Sequence, residues 1–375
     1  MAEPGRRHQV AVLGAGLAGS LIALALARRG LSVALIAPAT IPAATDWSYG
    51  GVAAAAAADW LQLEQRHGSL GWHNSGLLLH GLPPPLKRLP PGLQARLSLA
   101  KRYGRVDTAQ LRQALATVLP AAGVDRLDCG VISPPSPGPT GGWRLELAGG
   151  PACPSTASSA DQVVLAAGAG CRALWPALPE RLRFSWAGAI LVDPAMLEPG
   201  LRHRAWLGQA GRGRIVQPRH WRRLELEASA AAFQQERWVV DAGLARQGDA
   251  LMLGQISLVG PDLDPADPPD PTLMEARLRR GLAELDPRLA AIKGTYRQVP
   301  VPFCLDGQPL AGPVDNAPGL WVFTGFSGSF SLVPQLAGVM AARITAERSS
   351  RVGERGADWA AKGNSDGHDG AMPPE

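Results

Sequence analysis

Cysteine, lysine and aromatic side chains are all scarce in this chain, and each shortage removes a class of protein. The four cysteines among 375 residues stand at Cys129, Cys153, Cys171 and Cys304, with no CxxC pair and no histidine at ligand spacing. That excludes a zinc finger and a disulfide-stapled scaffold, predicts no metal centre, and suits a reducing cytoplasm. Lysine is confined to Lys87, Lys101, Lys293 and Lys362, so arginine carries nearly all of the +5 formal charge. Aromatic residues make up 5% and charged residues 18%, against 46% apolar, which describes a globular chain and not a disordered one. Downstream of Gly30 no apolar run is long enough to span a bilayer. No Ser/His/Asp arrangement and no conspicuous acid–base pair stand out, so nothing in the sequence points to a hydrolytic triad.

What is present begins at once. Val10-Ala11-Val12-Leu13 is a buried strand, and Gly14-Ala15-Gly16-Leu17-Ala18-Gly19 turns from it into a Leu/Ile/Ala helix that Gly30 closes. Val33 to Ile36 then completes a strand–helix–strand unit. Gly14 serves the tight turn, Gly16 lets backbone approach a pyrophosphate, and Gly19 allows close helix–strand packing. Unpaired N–H groups at the helix start take the phosphate charge. Arg6-Arg7 before an apolar stretch imitates an export signal, but the spaced glycines and the Arg28-Arg29-Gly30 stop argue for the dinucleotide reading. The acid that usually holds the adenosine ribose is missing from Ile36-Ala37-Pro38-Ala39-Thr40. A backbone group or Thr40 is left for that task.

The length predicts two lobes. Gly50-Gly51 precedes a helix expected over Val52 to Gln65, and is equally a phosphate contact or a hinge. Asp107 caps a helix with Leu111, Leu115, Val118 and Leu119 on one face. Gln162 to Leu165 is a buried strand running into Ala166-Ala167-Gly168-Ala169-Gly170. Phe184 to Leu258 reads as short strands, and Thr272 to Glu275 as a capping box that opens a helix. Leu320 to Thr324 empties into Gly325-Phe326-Ser327-Gly328-Ser329-Phe330, followed by a helix with Val333, Leu336, Ala337, Met340 and Ile344 on one face. The arginine-rich stretch from Arg202 to Arg223 alternates like a solvated strand face, and we read it as plain surface.

Taken in order, these segments resemble the D-amino acid oxidase family of FAD-dependent oxidoreductases, which includes glycine and sarcosine oxidases. The resemblance rests on Gly14 to Gly19, Ser48-Tyr49-Gly50-Gly51, Asn74 to Leu79, Gly104 to Leu111, Val163 to Ala169, Asp306 to Gly312 and Pro318 to Gly325. It implies an α/β fold with a discontinuous Rossmann-like FAD-binding domain and a smaller antiparallel-sheet substrate domain. The FAD-binding parts are expected at 1–80, 104–183 and 301–346. The substrate lobe takes a short excursion at 81–103 and the main segment at 184–300, with a disordered tail at 347–375. By match, Gly14, Gly16, Leu17, Ala18, Gly19, Ser48 and Gly51 hold the pyrophosphate, and Val131 packs the adenine side. Ala167 and Gly168 line the ring path, while Gly325, Phe326, Ser327, Gly328, Ser329, Phe330 and Ser331 bracket the flavin's pyrimidine end.

The implied activity is oxidation of a C–N bond in a small amino acid or amine by hydride transfer to FAD. The family often carries an Arg that forks onto the substrate carboxylate, and the corresponding position here is Val301. Arg297, beside Tyr296, is the candidate replacement, against a plain reading as an exposed cation. Cys304 is scored as core. An FAD-binding scaffold without turnover is one rival, and a tailoring oxidase acting on a nucleic-acid-borne amine is another. Substrate identity, electron acceptor and oligomeric state are left open.

Overall fold

A computed structural model describes residues 7–38, 43–100, 103–139, 141–149, 156–197, 205–261 and 263–363. The elements that build the site, labelled in chain order, begin with β1 (Arg7–Leu13), α1 (Leu17–Ala27) and β2 (Val33–Pro38). They continue with β3 (Leu77–His80), β4 (Gly104–Val106), α2 (Thr108–Ala121), β5 (Val124–Cys129) and β6 (Thr156–Leu165). The second lobe adds β7 (Leu182–Val192), β8 (Ile215–Pro218), α3 (Arg222–Ala228), β9 (Arg237–Gln247), β10 (Ala250–Val259), α4 (Pro271–Leu285) and β11 (Thr295–Cys304). The chain then returns through β12 (Leu320–Thr324) into α5 (Ser329–Gly363).

The first sheet has a parallel core in the order β12, β6, β1, β2, β5. Its strands are apolar on both sides because helices cover one face and the antiparallel extension packs the other. Alternate residues separate accordingly. Val10, Val12, Val33 and Leu35 pack with α1 and α5, whereas Ala11, Leu13, Ala34 and Ile36 pack with Trp143, Leu145 and Leu174. The second sheet runs β11, β7, β10, β9, β8, β3, closed by Leu99–Ala100, and is antiparallel except where β3 meets β8. The chain therefore enters the second sheet at Leu77, ahead of Gly81. The α/β class, with a parallel sheet beside an antiparallel one, is what the sequence implies.

Several local expectations shift. Val52 pairs in a short strand with Gly104, and the alanine-rich helix starts at Ala57 and ends at His67. The cap of α4 is Asp270, which accepts from the Thr272 N–H at 2.8 Å; Pro271 occupies the first helical position, where its missing N–H costs nothing. Glu275 pairs with Arg279 instead of closing a capping box. α5 continues past Glu347 to Gly363, carried by the helix formers Ala346, Glu347 and Arg348; residues 364–375 lie outside the described residues. The Arg202–Arg223 stretch is not an alternating strand. It holds a helix over Ala205–Gly211, then β8, then the start of α3, while Arg202 and Arg204 lie outside the described residues. Among the described residues no helix is long and apolar enough to cross a membrane.

Candidate functional site

β1, β6 and β12 are neighbours and parallel, so their C-terminal ends open on one edge, and each runs into a glycine-bearing loop. Gly14 turns with φ +110°, and a side chain there would come within 2.4 Å of the Ala166 carbonyl oxygen. A Cβ on Gly19 would lie 1.8 Å from the Gly14 oxygen, so helix and turn touch only because position 19 is glycine. Gly16 differs: its nearest atoms are Thr45 Oγ1 at 3.4 Å and the Ala43 Cβ at 3.9 Å. No side chain of Gly16 caps α1 and its first turn, with Leu17, Ala18 and Gly19, carries no acid, leaving the positive end of the dipole for an anion. The Leu17 N–H donates to Thr45 Oγ1 at 3.0 Å. Thr45 escaped the sequence reading; its only signal was a hydroxyl just upstream of Ser48. Thr40, the sequence candidate for the ribose, lies outside the described residues.

The other two loops complete the edge. Gly168 (φ +61°) has nothing nearer a potential Cβ than Pro302 at 3.9 Å, and Thr324 donates to its carbonyl oxygen at 3.1 Å. Ala167 is half-buried beside it. Gly325 (φ +81°) packs so closely on Cys304 that a Cβ would stand 2.5 Å from its sulfur. Cys304 is buried, and burial pushes its thiol up. Gly328 has nothing within 4 Å. Phe326 packs edge-on against Phe323, and Phe330 stacks on Trp60, whose indole N–H donates to the Phe330 carbonyl at 2.7 Å. These two phenylalanines are core side chains that offer the edge only backbone. Ser331 accepts from the Ala53 N–H at 2.9 Å and so ties α5, next to Ser329, to the Gly51 turn. Ser48 accepts from the Gly50 N–H at 3.2 Å. Val131 stands on an edge strand, 59% exposed.

Facing this edge is one side of the second sheet. Ladder partners share a side, which places Ser185, Ala187 and Ala189 with Val301, Val299 and Arg297. Ile190 and Tyr296 point the other way, into the core under α4 with Met274 and Leu278. Adjacent residues of a strand face opposite sides, so the structure does not bring Arg297 and Tyr296 together. The Tyr296 hydroxyl donates to Gln298 at 3.0 Å, and burial pushes it well up. Arg297 is exposed and donates to its neighbour's carbonyl at 3.0 Å.

The cation near Val301 comes from elsewhere. On the side that Ser185 and Val301 share, the Ser185 hydroxyl donates to Glu227 Oε1 of α3 at 3.4 Å, and Arg223 donates to the same oxygen at 3.2 Å. The other Arg223 nitrogen donates to the Ser327 carbonyl at 3.1 Å, joining the lobe to the loop at β12. Asp241 of β9 accepts from the Arg222 and Arg223 backbone N–H groups at 3.2 and 2.9 Å and so caps α3. Burial pushes the Glu227 carboxyl up, with Arg223 and the Ser185 and Ser327 side chains pulling it back. The missed signal was Arg223 to Glu227 at helical i,i+4 spacing.

The sequence model of the FAD dependent oxidoreductase family (DAO) matches residues 9–347. The chain belongs to this family.

Solved structures of similar fold include glycine oxidase from Geobacillus kaustophilus, at 19% identity over 90% of this chain and 94% of that one, with a TM-score of 0.65. Iminodiacetate oxidase (IdaA) from Chelativorans sp. BNC1 gives 18%, 90%, 95% and 0.61. L-amino acid deaminase from Proteus vulgaris gives 13%, 92%, 95% and 0.62. No curated protein sequence matches. FAD is the cofactor of this DAO-family chain, and the sheet edge fits it. A Cβ on Gly16 would meet only Thr45 and Ala43 at ordinary contact distance, Gly328 faces open space, and the first turn of α1 carries no acid to offset its dipole. Thr45 would hand the Leu17 N–H to a phosphate or share it.

Proposed function

We propose that this chain oxidises a C–N bond of a small amine or amino acid. Bound FAD supplies a two-electron acceptor that takes a hydride equivalent from the carbon bearing the nitrogen. The chain's own residues bind, orient and exclude water. Gly14, Gly16, Leu17, Ala18 and Gly19, with Ser48 and Gly51, are assigned the pyrophosphate, and Val131 the adenine side, where an exposed valine offers an apolar surface. Ala167 and Gly168 flank the ring, and Gly325 to Ser331 close its pyrimidine end. Arg297 and Tyr296 lose support as a catalytic pair because the strand sends them to opposite sides.

The observation that carries this reading is the pairing of three glycine loops on one sheet edge with a second lobe in which Ser185 of the sheet meets Arg223 and Glu227 of α3. A site of that kind needs a substrate between the two. The test is an anaerobic titration of the yellow holoprotein with a panel of amines and amino acids. At least one compound is expected to bleach the flavin absorption; a panel that leaves the spectrum oxidised throughout contradicts the reading.

A second reading, FAD binding without turnover, draws on Val301 in the arginine position and on the lack of an acid at Ala37. Bleaching by any one compound excludes it. The nucleic-acid rival draws less support, because Arg214, Arg219, Arg222 and Arg223 all bond to their own chain.

A further inference from the structure

We propose that the second lobe sets the affinity of the first for FAD, with Gln247 and Gln255 as positioning residues that act through the turn at Ala44–Trp47. The proposal stands apart from the amine-oxidation reading, because it involves no substrate. It starts from where that turn lies. Thr45 Oγ1 and the Ala43 Cβ stand 3.4 and 3.9 Å from a potential Cβ on Gly16, and Thr45 Oγ1 accepts from the Leu17 N–H at 3.0 Å. The turn is therefore a wall of the space in front of α1, and Ser48 continues it into the Gly50-Gly51 bend.

The carbonyls of that wall are held from the opposite lobe. Gln247, at the end of β9, donates through Nε2 to the Asp46 carbonyl and, at 2.9 Å, to Thr108 Oγ1. Gln255 of β10 donates through Nε2 to the Trp47 carbonyl at 3.1 Å. A carbonyl only accepts, so the NH2 end of each amide is the one that faces the turn. The Trp47 side chain packs in the same direction, in one cluster with Tyr49, Ala189, Ala245 and Met252. From its own lobe the turn receives the Leu17 bond and an approach of 3.8 Å between Asp46 and the exposed Arg112, which is worth little in water.

Gln247 is itself fixed on both sides. The Arg246 carbonyl accepts from Arg105 at 2.6 Å, and the Gly248 N–H donates to Asp107 at 2.9 Å. A continuous run of bonds therefore joins the buried pair of Arg105 and Asp107 to Gln247, then to the Asp46 carbonyl, and through Thr45 to the Leu17 N–H at the start of α1. A wall held in place before the cofactor arrives spares FAD the cost of ordering it, and such preorganisation is read as affinity. Linkage makes the effect reciprocal. If docking of the β9–β10 turn favours FAD, bound FAD must favour docking of that turn.

The test uses the full chain without substrate. Gln247→Met and Gln255→Met keep the side-chain length and remove the donor without adding charge; Asp249→Asn, at the exposed tip of the same turn, is the control. FAD affinity is read by fluorescence titration of each apoprotein, with thermal melting as the check on folding. Hydrogen exchange of the 246–250 turn is followed in the parent with and without FAD. Each methionine variant is expected to lose about five- to tenfold in FAD affinity, the scale of one hydrogen bond, while Asp249→Asn binds as the parent does. FAD is expected to slow exchange at the turn in the parent. Parental affinity in folded Gln247→Met and Gln255→Met, even with lowered melting, would mean that the glutamines only stabilise the fold and would overturn the proposal. An equal loss in Asp249→Asn, or exchange at the turn that FAD leaves unchanged, would overturn it too. Should neither methionine variant fold, the exchange measurement on the parent decides alone.

Discussion

Replacing Gly19 by alanine is expected to strip the protein of FAD. The added methyl would sit 1.8 Å from the Gly14 carbonyl oxygen, a backbone atom of the turn itself, so α1 must move away from β1. That displaces the N–H groups aimed at the diphosphate. A loss of at least about 2.7 kcal/mol, roughly a hundredfold in FAD dissociation constant, is the expected scale. Gly328→Ala is the companion. Nothing lies within 4 Å of its potential Cβ, so the apoprotein should melt as the parent does. Its FAD affinity should nevertheless fall, because the open space beside that glycine is assigned to the flavin. Fluorescence titration with FAD and melting of both apoproteins separate the cases. Gly19→Ala retaining parental affinity would show that the turn does not hold the cofactor.

Asp107→Ala is expected to destabilise the apoprotein by about 3–5 kcal/mol. Arg105 and Asp107 form an ion pair of 2.6 Å with 1% and 2% of the side chains exposed. Burial pulls the Arg105 guanidinium down, and Asp107 holds it up. Removing the carboxylate strands a buried charge, and it also removes the α2 cap, which accepts from the Ala109 and Gln110 N–H groups. The same carboxylate accepts from the Gly248 N–H at 2.9 Å, and Arg105 donates to the Arg246 carbonyl at 2.6 Å. The pair therefore fastens the β9–β10 turn of the second lobe to the first. Alongside it, Gln247 donates to the Asp46 carbonyl and Gln255 to the Trp47 carbonyl. The segment that places Thr45 on α1 is thus clasped by the opposite lobe. Urea unfolding measures the effect; a cost below about 1 kcal/mol would mean that the pair is solvated.

The parts of this account that were legible in the sequence are local ones. Val10 to Gly19 declares itself because a fully buried parallel strand, a tight turn and an uncapped helix start each demand particular residues within a few positions. Asp107 was readable as a cap for the same reason. Its partnership with Arg105 was not, since the need for that pair arises only when Gly248, far along the chain, arrives to bury it. Thr45 was hidden because one hydroxyl in a turn carries no pattern.

The arginine stretch shows the limit most plainly. Arg223 and Glu227 have the i,i+4 spacing of an ordinary solvated helix pair. Only tertiary packing buries Glu227 and half-buries Arg223, by laying α3 over Ser185 and against the Ser327 carbonyl. Arg297 and Tyr296 show the converse. They are neighbours in sequence, and strand alternation then divides them between a helix-covered core and the site-facing side.

The most direct measurement is the FAD content of the purified chain, from its absorption spectrum before and after denaturation and after added FAD. Convergence of the Gly14, Gly168 and Gly325 loops on one edge predicts an oxidised-flavin spectrum and one FAD released per chain. A colourless protein that takes up no FAD when it is supplied would contradict the account at its root.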